Sequence, residues 1–176
     1  MLSFGSEHIY LRALEPEDLT FLEQIENDDQ LWHLSNTQTP FSKEILKRYL
    51  NNGHRDIFEV KQLRLVICHN ESHMQYGFVD IYDFSPQHKR AGLGIIIDSK
   101  FRGKGFAKEA IKAVLKYGFD HLDLHQFFAY IEIDNPNSLK LFESSGFQKT
   151  GERKDWNYHH KKFHTEAIYQ IINNVH

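Results

Sequence analysis

The strongest constraint on the fold is the stretch Gly94-Ile-Ile-Ile-Asp-Ser-Lys-Phe-Arg102-Gly-Lys-Gly-Phe-Ala107, which passes from an apolar run through a short basic loop into the start of a helix. A brief apolar run bounded by turn residues reads as a buried strand. The loop has the physics of an anion cradle. Gly103 and Gly105 let the backbone approach a ligand closely, and the first helical N–H groups, with the helix dipole behind them, favour negative charge. Arg102 and Lys104 add positive charge. Taken by itself, the loop also fits an ordinary strand-to-helix turn with two permissive glycines.

Around this unit the chain alternates strands and helices. His8 to Leu14 alternates, and Pro16 opens a helix whose Leu19, Phe21, Leu22 and Ile25 share one face. A Trp-containing stretch, Leu31 to Thr39, ends at Pro40; Ser42 then caps a helix bearing Ile45, Leu46, Tyr49 and Leu50 and stopping at Gly53. Val60 to His69, Tyr76 to Phe84 and Ala91 to Asp98 read as an antiparallel meander with polar turns between them. Phe106 to Phe119 carries a helical stripe, Phe127 to Ile133 a strand, and Pro136 to Ser145 a short helix closed by Gly146. Final strands are expected near Phe147 to Glu152 and Phe163 to Ile172. This mixture indicates an α+β or mixed-sheet domain, one unit over residues 1–176.

Composition narrows the function. At 176 residues with 40% hydrophobic side chains, one core should bury roughly 70% of the unfolded surface without staples. A net charge of −3 lacks the basic excess of a nucleic-acid footprint. Cys68 is the only cysteine, so an internal disulfide and a cysteine-built zinc site are excluded and a reducing, cytoplasmic setting is expected. No stretch approaches the roughly 20 apolar residues of a membrane span, and Met1 to Ala13 has no apolar leader segment. A small-molecule partner is expected, with neither nucleic acid nor membrane, and homo-oligomerisation is left open.

The pattern Arg102-x-x-Gly105-x-Ala107 resembles the Arg/Gln-x-x-Gly-x-Gly/Ala signature with which GNAT acetyltransferases grip the acetyl-CoA pyrophosphate. About thirty residues on, Asn135-Pro-Asn-Ser138-Leu-Lys-Leu-Phe142-Glu-Ser-Ser-Gly146-Phe147 is similar to that family's Asn-x-x-Ser/Ala and Leu-Tyr-x-x-x-Gly-Phe segment. The wording resembles the branch holding spermidine/diamine and ribosomal-protein N-terminal acetyltransferases. The resemblance implies a mostly antiparallel splayed sheet whose fourth and fifth strands part around the thioester. It implies acetyl-CoA as cosubstrate, held by Ile95, Ile96, Ile97, Arg102, Gly103, Lys104, Gly105, Phe106, Ala107, Asn135, Ser138 and Phe142. Exposed backbone of Ile95 to Ile97 would pair with pantetheine amides and polarise the thioester.

Phe142 stands where many members of the family have a proton-donating Tyr; the resemblance to the ribosomal-protein enzymes, which use a serine at the Asn-x-x-Ser position, implies Ser138 as the candidate catalytic residue for the departing thiolate. The attacking amine must also lose a proton. Tyr82, Asp83, Glu132 and Asp134 are the candidates for that base. The resemblance places the acceptor amine near Glu26, Asp28, Asp29 and Trp32, with Asp80 and Asp83 on a strand beside the cleft. Those carboxylates favour a polyamine or diamine such as spermidine over the alternatives, a ribosomal-protein N-terminus or an aminosugar. A non-catalytic acyl-CoA-binding module is the other class. Twelve histidines include the pairs His121/His125 and His160/His164 and the group Cys68, His69, His73. None shows an obvious third ligand, and no metal is expected. The tract Trp156 to Lys162 is read as part of a hairpin between the last two strands rather than as an RNA contact.

Overall fold

The computed structural model describes residues 5–53 and 55–175. Strand β1 (Ile9–Ala13) leads through a 3-10 turn at Pro16–Asp18 into helix α1 (Leu19–Glu26), followed by α2 (Trp32–Ser35), α3 (Lys43–Asn51) and α4 (Ile57–Val60). The meander β2 (Leu63–His69), β3 (Gln75–Ser85) and β4 (Arg90–Ile97) precedes α5 (Phe106–Asp120) and β5 (Gln126–Glu132). Helix α6 (Pro136–Ser144) and the hairpin β6 (Gln148–His159) and β7 (Lys162–Ile172) complete the chain.

The strands form one 7-stranded sheet in the order β1-β2-β3-β4-β5-β7-β6. Every neighbouring pair is antiparallel except β4 with β5. The mixed α/β, mostly antiparallel architecture expected from the sequence is therefore present. Because successive strand side chains face opposite sides, Leu65 and Ile67 of β2 join one core and Val66 and Cys68 another. The first core packs under α5 with Ile111, Val114 and Phe127; the second lies under α1 and α3 with Phe21, Leu22, Leu46 and Phe78. Fully burying Ile111 and Val114 contributes roughly 1.5–3 kcal/mol for each side chain. A Cβ at Gly118 would lie 2.3 Å from the Phe127 ring, so the missing side chain lets α5 sit hard against β5.

Strands β4 and β5 share a ladder only where Arg90, Ala91 and Gly92 face Gln126, Phe127 and Phe128. Beyond Gly92, β4 continues along β3 to Ile97, while β5 continues along β7 to Glu132. The two strands part, and the second half of β4 faces a V-shaped opening. This is the splay that the resemblance implied.

Two elements differ from expectation. Val60, expected to open the strand that runs to His69, instead ends α4, where Asp56 accepts a hydrogen bond from the Phe58 N–H and caps a single helical turn, and β2 starts at Leu63. Strand β6 runs to His159 rather than to Glu152. It is an edge strand exposed along most of its length, so it has no apolar alternation to betray it. His160 and Lys161 close the hairpin with φ of 48° and 62°, the left-handed pair of a two-residue turn. The hairpin expected for the aromatic and basic tract is therefore in place.

Candidate active site

The opening between β4 and β5 is the mouth of a cleft of about 1060 Å³. At one end lies the loop that joins β4 to α5. Phe101 and Phe106 bracket it, and both rings pack on Tyr76, at 4.1 and 4.7 Å between centroids. Gly105 is the residue before the first helical turn and has φ of 88°, a region that a side chain makes costly. A Cβ at Gly105 would meet no protein atom within 4 Å, so its bareness serves the backbone shape and the space above the loop. Arg102 donates from Nε to the Ile97 carbonyl at 2.8 Å, which fixes the guanidinium at the cleft rim. Ile95, Ile96 and Ile97 form the adjoining wall.

Across the opening stands the start of α6. Asn135 caps this helix, its Oδ1 accepting from the Ser138 N–H at 3.2 Å, and both residues line the cleft. Most of the expected donor-site residues thus converge: Ile95, Ile96, Ile97, Arg102, Gly103, Gly105, Phe106, Ala107, Asn135 and Ser138. Lys104 and Phe142 do not line this cleft. The Lys104 Nζ lies over the Phe101 ring, 5.7 Å from its centroid, on an exposed stretch of the loop. Phe142 is a core residue, 4% exposed and packed edge-on against Phe147.

The expected acceptor residues are scattered more widely. Asp28 lines the cleft and accepts from the Gln30 N–H at 3.0 Å. Glu26 and Asp80 belong to a second cavity of about 400 Å³ beneath α1 and α3. There Arg64 donates to Asp80 through Nε at 2.7 Å and Nη2 at 3.0 Å, and it also bonds Glu26. Burial alone would lower the Arg64 pKa, but Asp80 and Glu26 outweigh it and the net shift is upward. Both carboxylates are therefore engaged by one internal cation. Trp32 donates from Nε1 to the Glu26 carbonyl, while Asp29 and Asp83 are exposed and line neither cavity.

The cleft's far end is built by residues from three separate segments. Glu132 ends β5 and Asp134 lies two residues beyond it, His159, His160 and His164 come from the tip of the β6–β7 hairpin, and His33 sits on α2. His159 Nε2 is 2.9 Å from both Glu132 oxygens, and His164 Nδ1 is 2.8 Å from Asp134 Oδ2. Burial would raise the Asp134 pKa, yet hydrogen bonds from His164 and Lys162 bring it below the usual carboxylate range. Burial and the neighbouring His159 hold His33 below the usual histidine range. Among the expected bases, Glu132 and Asp134 line the cleft and Asp83 does not. Tyr82 is half-buried and its pKa is pushed well up, chiefly by desolvation, so it carries its proton at neutral pH.

The sequence places His159 and His160 in the hairpin tract, but nothing in it joins His159 or Glu132 to His164. Only His160 and His164 stood out there, by helical spacing. The structure joins His164 to His159 instead, across a hairpin, with rings stacked 3.7 Å apart. The two-residue turn at His160 and Lys161 was the available signal.

A parted sheet, a glycine-bearing anion cradle and a capped helix opposite it are the geometry of one family, and its domain profile, Acetyltransferase (GNAT) domain, matches residues 8–148. The chain belongs to the GNAT acetyltransferase family. Among its curated relatives, spermidine N(1)-acetyltransferase of Vibrio cholerae is 29% identical over 149 residues, 83% of this chain and 82% of that one. An uncharacterized N-acetyltransferase, p20, of Bacillus licheniformis is 31% identical over 157 residues, 89% and 88% of the two chains. The crystal structure of spermidine N-acetyltransferase from Vibrio cholerae in complex with CoA and spermine superposes with a TM-score of 0.86 at 25% identity, covering 95% of this chain and 96% of that one. This GNAT protein is an acetyl-CoA-dependent N-acetyltransferase. Among the described residues, no helix is long and apolar enough to cross a membrane.

Proposed function

We propose that the protein acetylates a primary amine of a small, flexible polyamine or diamine, spermidine being the first to try. The observation that carries this reading is the acidic far end of the cleft. Asp28, Glu132 and Asp134 line the same opening whose other end is the anion cradle, so a polycation entering between them would present an amine toward the thioester. The likeness to enzymes named for spermidine supports the same substrate class.

In this reading the pyrophosphate of acetyl-CoA rests on Arg102 and the backbone of residues 103–107, and Asn135 offers Nδ2 to the pantetheine arm while its Oδ1 caps α6. Glu132 takes a proton from the ammonium, directly or through water. The freed nitrogen attacks the thioester carbonyl carbon, the C–S bond breaks, and the thiolate leaves as the amide forms. A β4 backbone N–H meets the developing oxyanion. Ser138, one turn before Phe142 on α6, supplies or relays a proton to the thiolate. Cys68 is buried in the second core and takes no covalent part. Exposed Trp156, Tyr158 and Phe163 on the hairpin support self-association into a homo-oligomer, and the donor fits a cytoplasmic setting.

The test is CoA release on a panel of polyamines, short diamines, N-terminal peptides and aminosugars. Turnover with spermidine or a diamine is expected. Activity confined to a neutral aminosugar or a peptide N-terminus would replace this acceptor, and binding of acetyl-CoA without turnover on any amine would leave a binding module.

A further inference from the structure

The group at the far end of the cleft has a second chemistry. Glu132, His159 and His164 each offer a ligand atom, and these atoms lie within 4.8 Å of one another. The set comes from a carboxylate at the end of β5 and two imidazoles of one hairpin, so the sheet fixes their origins. Its surroundings are those of a supported ligand set. Asn157 donates from Nδ2 to Glu132 Oε1 at 2.9 Å. His164 Nε2 lies 3.3 Å from the His159 carbonyl, which leaves Nδ1 facing Asp134 at 2.8 Å and Glu132 at 3.7 Å. His164 is 5% exposed, while His159 keeps an open side toward the cleft. His164 thus has its second ring nitrogen held by a carbonyl, the usual arrangement of a ligating histidine, while His159 Nδ1 lies 2.8 Å from His160 Nδ1.

We propose that Glu132, His159 and His164 form a transition-metal site, best suited to Zn²⁺, that opens on the acceptor end of the cleft and competes there with the amine substrate. Two imidazoles and one carboxylate suit zinc rather than magnesium or calcium, whose hard cations take oxygen ligands. The metal replaces the protons now shared between imidazoles and carboxylates, and because the His159 and His164 rings stack nearly parallel with centroids 3.7 Å apart, the part-exposed His159 ring must swing out of that stack for its Nε2 to converge with His164 Nδ1. A bound dication occupies the carboxylate that would take the substrate proton and repels an incoming ammonium. The competition, though not the metal binding, rests on the acceptor placement proposed above.

The test is titration of untagged, full-length protein with Zn²⁺ against a chromophoric chelator, with Co²⁺ absorption as a readout of coordination. One equivalent is expected to bind in the micromolar range or tighter. His159→Ala and Glu132→Gln should each weaken it at least about tenfold, and exposed His88→Ala should leave it unchanged. His164→Ala should do the same as His159→Ala. Because His164 is buried and that variant can fail to fold, the two part-exposed positions decide the matter, with acetyl-CoA binding as the check on folding. No stoichiometric binding, or binding that persists in both His159→Ala and Glu132→Gln, overturns the site. Zinc should inhibit acetyl transfer competitively against the amine and not against acetyl-CoA; the reverse pattern overturns its placement at the acceptor end. Zinc binding without turnover on any amine sustains the metal site and defeats the functional reading, while turnover without zinc binding does the opposite.

Discussion

The two ends of the cleft are built on different plans. The end proposed to hold the acetyl donor is mostly backbone: the parted edge of β4, the loop at residues 102–105, the first turn of α5 and the capped start of α6. The acceptor end is mostly side chain, with carboxylates and imidazoles brought from α2, the end of β5 and a hairpin tip. A backbone-built site can be tuned only by residues that alter chain shape or add a fixed charge, so it carries a short local signature. A side-chain site tolerates different donors at each position and is held by long-range pairing. The donor end should therefore respond to mutation chiefly in affinity, the acceptor end chiefly in rate.

The sharpest way to break this contrast is Glu132→Gln. It should lower kcat with spermidine by about 100-fold or more, within the range of acid–base catalysis, and leave the acetyl-CoA Kd near its original value. Steady-state kinetics beside a binding titration would show it, and an equal loss in both measurements would erase the division between the ends. Next in size are two donor-end changes. Arg102→Ala should cost about 1.5–3 kcal/mol of acetyl-CoA binding, a tenfold to roughly 150-fold rise in Kd. Gly105→Val should weaken binding at least as much, because it puts a β-branched residue at positive φ and fills the space over the loop. Calorimetry on both variants checks this, and unchanged affinity in both would remove the cradle from the site.

Ser138→Ala sits between the two classes. A thiolate leaves tolerably well near neutral pH, so kcat should fall by about 100-fold at most while affinity holds. A rate equal to the parent's under chemistry-limited conditions would make Ser138 purely structural. The smallest effect is expected from Asp28→Asn, a drop of about twofold to fivefold in kcat/KM for a polyamine that shrinks further as salt rises. Asp80→Asn is its counterpart. It should register in thermal stability through Arg64 rather than in the salt dependence of kcat/KM.

That last pair shows where sequence stops being informative. The cradle was legible because Arg102, Gly103 and Gly105 are neighbours whose meaning is local, and the splay followed from a resemblance that those same residues carry. The order of elements was legible from apolar periodicity in all but the most exposed places. Glu26 and Asp80 read as free acids because nothing near either of them in the chain announces Arg64, which lies 38 and 16 residues away and pairs with both. The meeting of His159 with Glu132 was hidden for a related reason: β6 is too exposed to show a strand pattern, and its pairing with β7 alone brings that ring to Glu132. Phe142 was misplaced because the motif fixes its position on α6, while its orientation is decided by packing on Phe147.

The tight turn at His160 and Lys161 makes the hairpin an adjustable arm. Its base is anchored to β5 by the ladder that pairs Gln126 with Ile172 through Glu132 with Glu166, and its tip alone reaches the cleft. Because side chains along a strand alternate, lengthening both arms by an even number of residues would extend the reach of the tip, whereas an odd change would turn its imidazoles to the opposite face. On the acceptor placement proposed above, adding or removing residue pairs at this one tip would alter the acceptor end and leave the loop at residues 102–105 untouched.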